Sequence, residues 1–337
     1  MSAPLVLDAA AVTAACSPAD AVAALRAALA GGLDPAADLP RQGVSLGAGE
    51  LLLMPSDGGG DLRHVGIKLA TVAPGNAALG LPRIQGSYVL FDAATLGVVA
   101  VLDGIALTTL RTPAVSVAAV LDRLREAAGP VGTAGPTSTD GADGSAPAND
   151  PLRVAVIGAG PQAHGHVATL ADALTGRPLD VAQLVRDPAR TAATEGARIA
   201  GARLVRLGGP EADDALRAAD VVVCATSARE PLFDAALVAD HAVVIAVGSH
   251  EPDARELPAG LLARATVVVE DPGAALREAG DVVLAIADGA LTAGDLVPMR
   301  DVVTGAVRPD PKRPLVFKST GMSWEDLVVA EAVLDGA

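Results

Sequence analysis

Lysine is nearly missing from this sequence. In 337 residues it occurs three times, at Lys68, Lys312 and Lys318, while arginine fills nearly every other basic position. A lysine kept inside the apolar run V-G-I-K-L-A-T-V therefore needs a reason of its own. Cysteine is as scarce: Cys16 and Cys224 offer neither a disulfide framework nor metal-type spacing, and both read as inert packing residues. No apolar run of about 18 residues passes without a polar break, and the amino terminus lacks a basic segment followed by an apolar core, so neither a membrane span nor a secretory signal is expected. Basic charge is also in deficit. The 25 Lys and Arg stand against 40 Asp and Glu, a net charge of −15, which argues against nucleic acid or an acidic membrane as partner, since either wants a basic face. The expectation is a cytoplasmic protein whose acidity serves solubility.

What is present is organised around Arg153 to Leu170, R-V-A-V-I-G-A-G-P-Q-A-H-G-H-V-A-T-L, an apolar strand running into a glycine turn and then a helix. Gly158 permits the tight turn, Gly160 removes a side chain that would block a pyrophosphate, and Ala163 stands where helix and strand must pack closely. The helix N–H groups then face the phosphates. G-x-G-x-x-A alone is a weak signal, but the context strengthens it. Apolar runs at 180 to 185, 202 to 207, 221 to 225, 242 to 247 and 266 to 269 alternate with Ala- and Arg-rich helical segments, the pattern of a doubly wound parallel sheet covered on both faces. The fold class is α/β, a Rossmann domain accompanied by a smaller α+β domain, since the length allows two cores.

The smaller domain comes first. Residues 5 to 7 read as a strand, and Ser17-Pro-Ala-Asp20 opens a helix to Gly31 whose Val22, Leu25 and Leu29 form a stripe suited to covering a sheet. From Glu50 the texture turns to strands at 50 to 54, 63 to 72, 84 to 91 and 98 to 102, with turns at Gly58-Gly59-Gly60-Asp61 and Asp92 to Gly97, a mostly antiparallel sheet. Thr112-Pro113 predicts a helix start, with Pro113 at its first position and the helix running to about Ala128, which puts Arg111 and Thr112 where an anion is favoured. Residues 129 to 150, rich in Gly, Pro, Ser, Thr and Asp, read as a disordered linker. The expected division is 1–128, the linker, and 151–311. A strand at 314 to 318 and a helix opened by a capping box at Ser323-Trp-Glu-Asp326 are expected to return, within 312–337, to the first domain.

The ordered segments Leu53-Met-Pro55, Gly66-Ile-Lys68, Pro74-Gly-Asn76 with Gly80-Leu-Pro82, Leu107-Thr-Thr-Leu-Arg-Thr112, Gly158-Ala-Gly-Pro-Gln-Ala163, Val247-Gly-Ser249 with Glu256-Leu257, and Val316-Phe-Lys-Ser319 with Gly321 resemble the ornithine cyclodeaminase and mu-crystallin family. The resemblance covers nearly the whole chain apart from the linker. It implies a homodimer whose first domain supplies the dimer contact and the substrate site, with a nicotinamide dinucleotide on the Rossmann sheet. It also implies chemistry on small α-amino or α-imino acids: reduction of cyclic ketimines with NADPH, amino-acid dehydrogenation, or cyclodeamination of ornithine to proline with NAD. Fold and chemistry class follow from such a resemblance; the particular substrate does not.

The resemblance also assigns residues. Arg41 and Arg111 match the arginines that clamp the substrate carboxylate, a planar group suited to a guanidinium fork; by itself Arg41 reads equally as a surface charge. Lys68 matches a lysine that reaches the substrate, and burial would bring its pKa toward neutrality; the alternative is a snorkelling strand-edge lysine. His250 follows a strand at the edge where open α/β sheets bind ligands. Cyclodeaminases of the family carry an Asp there, and a Glu where this chain has Leu52, so both carboxylates associated with deamination are missing. His250 reads as an acid or base, or as a loop surface residue. Pro161, Gln162, Thr112, Thr226, Val247 and Gly248 join Gly158, Gly160 and Ala163 as cofactor-binding residues.

At the end of the second Rossmann strand, A-Q-L-V-R-D, Val185 stands where an NAD enzyme usually places an acid. Arg186, with Arg190 one turn on, suits the 2′-phosphate of NADP(H), the cofactor favoured over NAD(H); the alternative gives Asp187 the ribose. His164 and His166, two apart on a helix, point to different faces and make no metal site, reading as helix surface or cofactor-edge residues. The leading expectation is an NAD(P)H-dependent reductase of a small cyclic ketimine or α-imino acid. Ornithine cyclodeaminase is the alternative, and an NADPH-binding carrier of a small ligand without turnover is the third reading.

Overall fold

The computed structural model describes residues 3–59, 62–126 and 150–337. The expected linker at 129 to 150, apart from Asp150, and Gly60-Asp61 of the glycine turn lie outside the described residues. Two compact units emerge, one of residues 1–118 with 321–337 and one of residues 119–320.

The first unit holds six strands: β1 (Leu5–Leu7), β2 (Gln42–Leu46), β3 (Gly49–Ser56), β4 (His64–Val72), β5 (Ile84–Asp92) and β6 (Val98–Asp103). They lie in the order β1-β6-β5-β4-β3-β2, antiparallel except where β1 runs parallel to β6. The sequence gives no sign of β2, because all five of its residues are exposed and no burial alternation marks it. In β4 the alternation is clear, and His64, Gly66, Lys68 and Ala70 share the buried face. That face is covered by the helix Ser323–Gly336, which packs on β3, β4 and β5. Ten of the fourteen residues of this terminal helix are buried, Glu325, Asp326 and Glu331 among them, so it needs cover on its other side as well. The helix Pro18–Ala30 supplies it, turning Val22, Leu25 and Leu29 inward. That helix was expected to cover a sheet; its principal neighbour is the terminal helix.

The helix expected to begin at Thr112 begins earlier. It spans Gly104–Glu126 with Pro113 inside it, and Asp103 Oδ1 accepts the N–H groups of Ile105 and Ala106 at 3.0 and 2.8 Å. An Asp followed by Gly makes a good start, and it outweighs the cost of an interior proline, which leaves one carbonyl without its usual donor. Arg111 and Thr112 are therefore mid-helix residues, away from any helix N-terminus. By length and composition this helix could cross a membrane, but 72% of its apolar window is buried in the protein, as in a core helix.

The second unit is an eight-stranded parallel sheet of β7 (Leu152–Ile157), β8 (Leu179–Val185), β9 (Arg203–Arg206), β10 (Val221–Cys224), β11 (Val243–Ala246), β12 (Thr266–Val269), β13 (Leu296–Pro298) and β14 (Leu315–Lys318). Their order is β13-β12-β14-β11-β10-β7-β8-β9. From β7 the chain builds outward one way through β8 and β9, then returns to place β10 on the other side. This reversal is the switch point where open α/β sheets bind ligands, and the glycine turn after β7 lies at it. Residues 312 to 320 belong here and not with the first unit. All four residues of β14 are buried, and such a run is satisfied only between two strands, here β11 and β12. The first unit resumes at Gly321.

Candidate active site

In the first unit, strand pairing sets Lys68 between Met54 of β3 and Tyr88 of β5, facing the terminal helix. Lys68 is 4% exposed and Asp326 is fully buried, and Lys68 Nζ donates to Asp326 Oδ2 at 2.6 Å. Burial pushes the Lys68 ammonium down to about 8, against the opposing pull of Asp326. Arg111 Nη1 donates to Glu325 Oε2 at 2.5 Å, and its Nε lies 3.3 Å from Asp326 Oδ1. The expected capping box closes one residue early: Glu325 Oε1 accepts the N–H of Met322 at 2.9 Å. With the cap made by Glu325, Asp326 is left to Lys68.

Arg41, half-buried just before β2, donates from Nη2 to the Gly321 carbonyl at 2.7 Å. Gly321 has φ +76°, and a Cβ there would stand 2.7 Å from Arg111 Nη1. Both arginines therefore meet at Gly321, which has to be glycine for Arg111 to lie against it. Close by in the chain, Asp38 accepts from Ser56 Oγ at 2.9 Å and from the Trp324 N–H at 3.0 Å, and burial raises its carboxyl to about 6. Thr112 is buried, its carbonyl accepting the Ser116 hydroxyl at 2.9 Å. In the sequence a capping pattern accounts for Glu325 and Asp326, which hides their part in this cluster.

In the second unit Gly158 has φ +136°, and a Cβ there would meet the Ala225 carbonyl oxygen at 2.5 Å. Gly160 caps the helix Pro161–Ala173 with no side-chain hydrogen bond, and no atom lies within 4 Å of where its Cβ would be. A bare helix N-terminus beside open space fits a pyrophosphate. Ala163 is fully buried. The turn is held from beneath by buried Gln183, whose Nε2 donates to the carbonyls of Gly158 and Ala197 at 3.1 and 2.8 Å while its Oε1 accepts from the Ile199 N–H. A lone amide inside V-A-Q-L-V was the signal for it.

Glu256 ties the neighbouring loops together. Its Oε1 accepts from the Thr226 N–H and hydroxyl at 2.9 and 2.7 Å, and its Oε2 from the Gly248 N–H at 2.7 Å. Burial raises the Glu256 carboxyl, and Lys318 opposes that rise. Lys318 Nζ donates to the Ser249 carbonyl at 2.5 Å and pairs with Asp281 at 3.0 Å. Val247 and Gly248 are half-buried, and His250 beyond them is exposed. Leu52 of β3 is half-buried.

At the end of β8, Val185 is buried and Arg186, Asp187 and Arg190 are exposed. Asp187 caps the helix Pro188–Ala193, its Oδ1 accepting from the Arg190 N–H at 3.0 Å. His166 is not a surface residue: it is fully buried, its Nδ1 lies 2.7 Å from the Gln162 carbonyl, and burial lowers its pKa to about 4. Two positions away, His164 is half-buried with Nε2 3.3 Å from the Ala197 carbonyl.

The sequence profile of the ornithine cyclodeaminase/mu-crystallin family matches residues 4–125 and 146–337. The chain belongs to this family. It is 33% identical over 293 residues to the Delta(1)-pyrroline-2-carboxylate/Delta(1)-piperideine-2-carboxylate reductase of Azospirillum brasilense, covering 87% of this chain and 82% of that relative. To the ketimine reductase mu-crystallin of Mus musculus it is 31% identical over 269 residues, covering 80% and 74%. Among solved structures, the iminosuccinate reductase of Paracoccus denitrificans in complex with NAD+ matches with a TM-score of 0.76 at 25% identity, covering 99% of this chain and 96% of that one. The Gly158 to Ala163 turn lies within the residues matched to the family.

Proposed function

We propose that the protein is an NAD(P)H-dependent reductase of a small cyclic ketimine or α-imino acid. The observation that carries this reading is the buried Lys68 and Asp326 pair beside two arginines that converge on Gly321. Arg41 and Arg111, which converge on Gly321, orient the carboxylate of an imino acid as a planar fork. Lys68, ammonium at neutral pH, gives the imine nitrogen its proton. The nicotinamide, when bound, supplies the hydride. Reductases of this kind among the relatives, and the absence of a carboxylate at Leu52 and His250, favour reduction over cyclodeamination.

The dinucleotide is assigned to Gly158, Gly160 and the helix start at Pro161 and Gln162, with Thr226, Val247 and Gly248 as further contacts. Arg186 and Arg190, exposed beyond a buried Val185 with Asp187 engaged as a cap, favour the 2′-phosphate of NADPH. His250 is a further candidate acid or base. A homodimer is proposed through the first unit's other sheet face, where Leu53, Ile67, Leu69 and Val89 are only half-buried; sedimentation of wild type and L53R checks it, a shift to monomer being expected.

The deciding assay follows NADPH and NADH absorbance with pyrroline-2-carboxylate and piperideine-2-carboxylate, alongside ornithine with catalytic NAD and an ammonia readout. Oxidation of the reduced dinucleotide by either imine supports the reductase. Proline and ammonia from ornithine without net cofactor change would replace it with a cyclodeaminase, and silence in every channel would leave a binding protein.

A further inference from the structure

We propose that Asp326 is a positioning residue for this reaction, fixing Lys68 Nζ and holding it as an ammonium group while its neighbour Glu325 anchors the Arg111 guanidinium. The assignment rests on the reductase reading for its role in turnover, but the coupling of Asp326 to Lys68 can be measured without substrate.

Two adjacent carboxylates with no exposure are costly to bury, and apolar residues of the same size serve a core equally well. Their retention asks for a use beyond packing. Both sit in the first turn of the terminal helix, where the helix dipole favours the ionised form. Each also meets a cation delivered by a different element, Lys68 from β4 and Arg111 from Gly104–Glu126. Register fixes the contact on the sheet side: Lys68 has Met54 and Tyr88 as cross-strand neighbours, so its ammonium has nowhere to go but the terminal helix.

The charged and titratable groups facing Lys68 are Asp326 and Glu325 from the terminal helix, Arg111 from the long helix and Tyr88 from β5. His64, further along the same face of β4, is already paired with Glu331 at 2.8 Å, and Asp38 is engaged by Ser56 and Trp324. Among these, Asp326 alone touches Nζ through a hydrogen bond in the described residues. In turnover the hydride goes to the imine carbon and a proton passes from Lys68 to the imine nitrogen. A bound reduced dinucleotide would supply the hydride and so be oxidised, the imine becomes an amine, and neutral Lys68 regains its proton from water. Asp326 takes no part in this proton transfer, which is what makes it a positioning group and not a proton carrier.

The scarcity of lysine makes the test direct. Lysine labelled with carbon-13 at the ε position gives three signals from this chain, and K68M identifies that of Lys68 by its loss. In D326N, Lys68 is expected to titrate about one pH unit or more below wild type, and the alkaline limb of kcat/KM for imine reduction is expected to move by the same amount. A Lys68 titration unchanged in D326N overturns the proposal. If wild type reduces no imine while the Lys68 signal still shifts in D326N, the reductase reading fails and the coupling stands. Should D326N not fold, D326E keeps the charge but displaces it: Lys68 then titrates near the wild-type value while kcat falls about tenfold or more at similar KM, and an unchanged kcat overturns the positioning role.

Discussion

The carboxylate of Glu256 accepts the backbone N–H of Gly248 at 2.7 Å, and its other oxygen holds Thr226, so one side chain joins the loops that follow β10 and β11. E256Q turns a donor toward one of those N–H groups and leaves it buried without an acceptor, a cost of about 1–3 kcal/mol. The expected result is about a tenfold or greater weakening of dinucleotide binding, read by nicotinamide fluorescence, with the β-sheet signal intact. An unchanged Kd would show that these loops hold their shape without Glu256.

The two glycines of the turn separate folding from binding. Gly158 has a backbone conformation that side chains disfavour and a carbonyl 2.5 Å from its Cβ position, so G158A is expected to lose about 1–3 kcal/mol of stability. Gly160 has φ −92° and ψ 176°, ordinary for alanine, with nothing nearby. G160A should therefore melt within about 0.5 kcal/mol of wild type yet bind the dinucleotide at least tenfold more weakly. Equal melting of the two variants would contradict this division.

The proposed preference for NADPH rests on Arg186 and is tested there. R186A is expected to weaken NADPH binding about tenfold, the worth of one charge-assisted hydrogen bond, and to leave NADH nearly unchanged. Loss of both dinucleotides to the same degree would place the 2′-phosphate away from Arg186.

His166 sets an acid limit on the second unit. Its folded pKa of about 4 lies below the ordinary 6.5, so as pH falls through 6.5 the unfolded chain takes a proton that the folded chain refuses. Stability present above pH 6.5 is lost progressively down to about pH 4, by about 3 kcal/mol at most. Urea unfolding at pH 7 and pH 5 should show a larger drop for wild type than for H166L. A parallel drop in both would mean that His166 is already protonated in the fold.

Much of the second unit was legible because its signals are local. A strand, a glycine turn and a helix follow one another within Arg153 to Leu170, and short Val- and Ile-rich runs report burial on both faces. The exceptions have physical causes: β14 is separated from its partners β11 and β12 by long stretches of chain, and His166 has the same composition whether it faces solvent or packs inward. In the first unit Lys68 stood out by its rarity. Local preference puts Arg111 at a helix start because Thr112-Pro113 is a good one, while Asp103-Gly104 upstream is also good and is the one the fold uses.

Sequence by itself therefore determined the parallel sheet, the glycine turn after its first strand and which cations were unusual, since each depends on neighbours a few residues apart. Only the tertiary structure decided that Lys68 meets Asp326, that Arg41 and Arg111 converge on Gly321, and that Glu256 binds two loops. Those contacts join residues as much as 280 positions apart, and no local preference encodes them. They form because a buried charge must find its partner wherever the fold brings one.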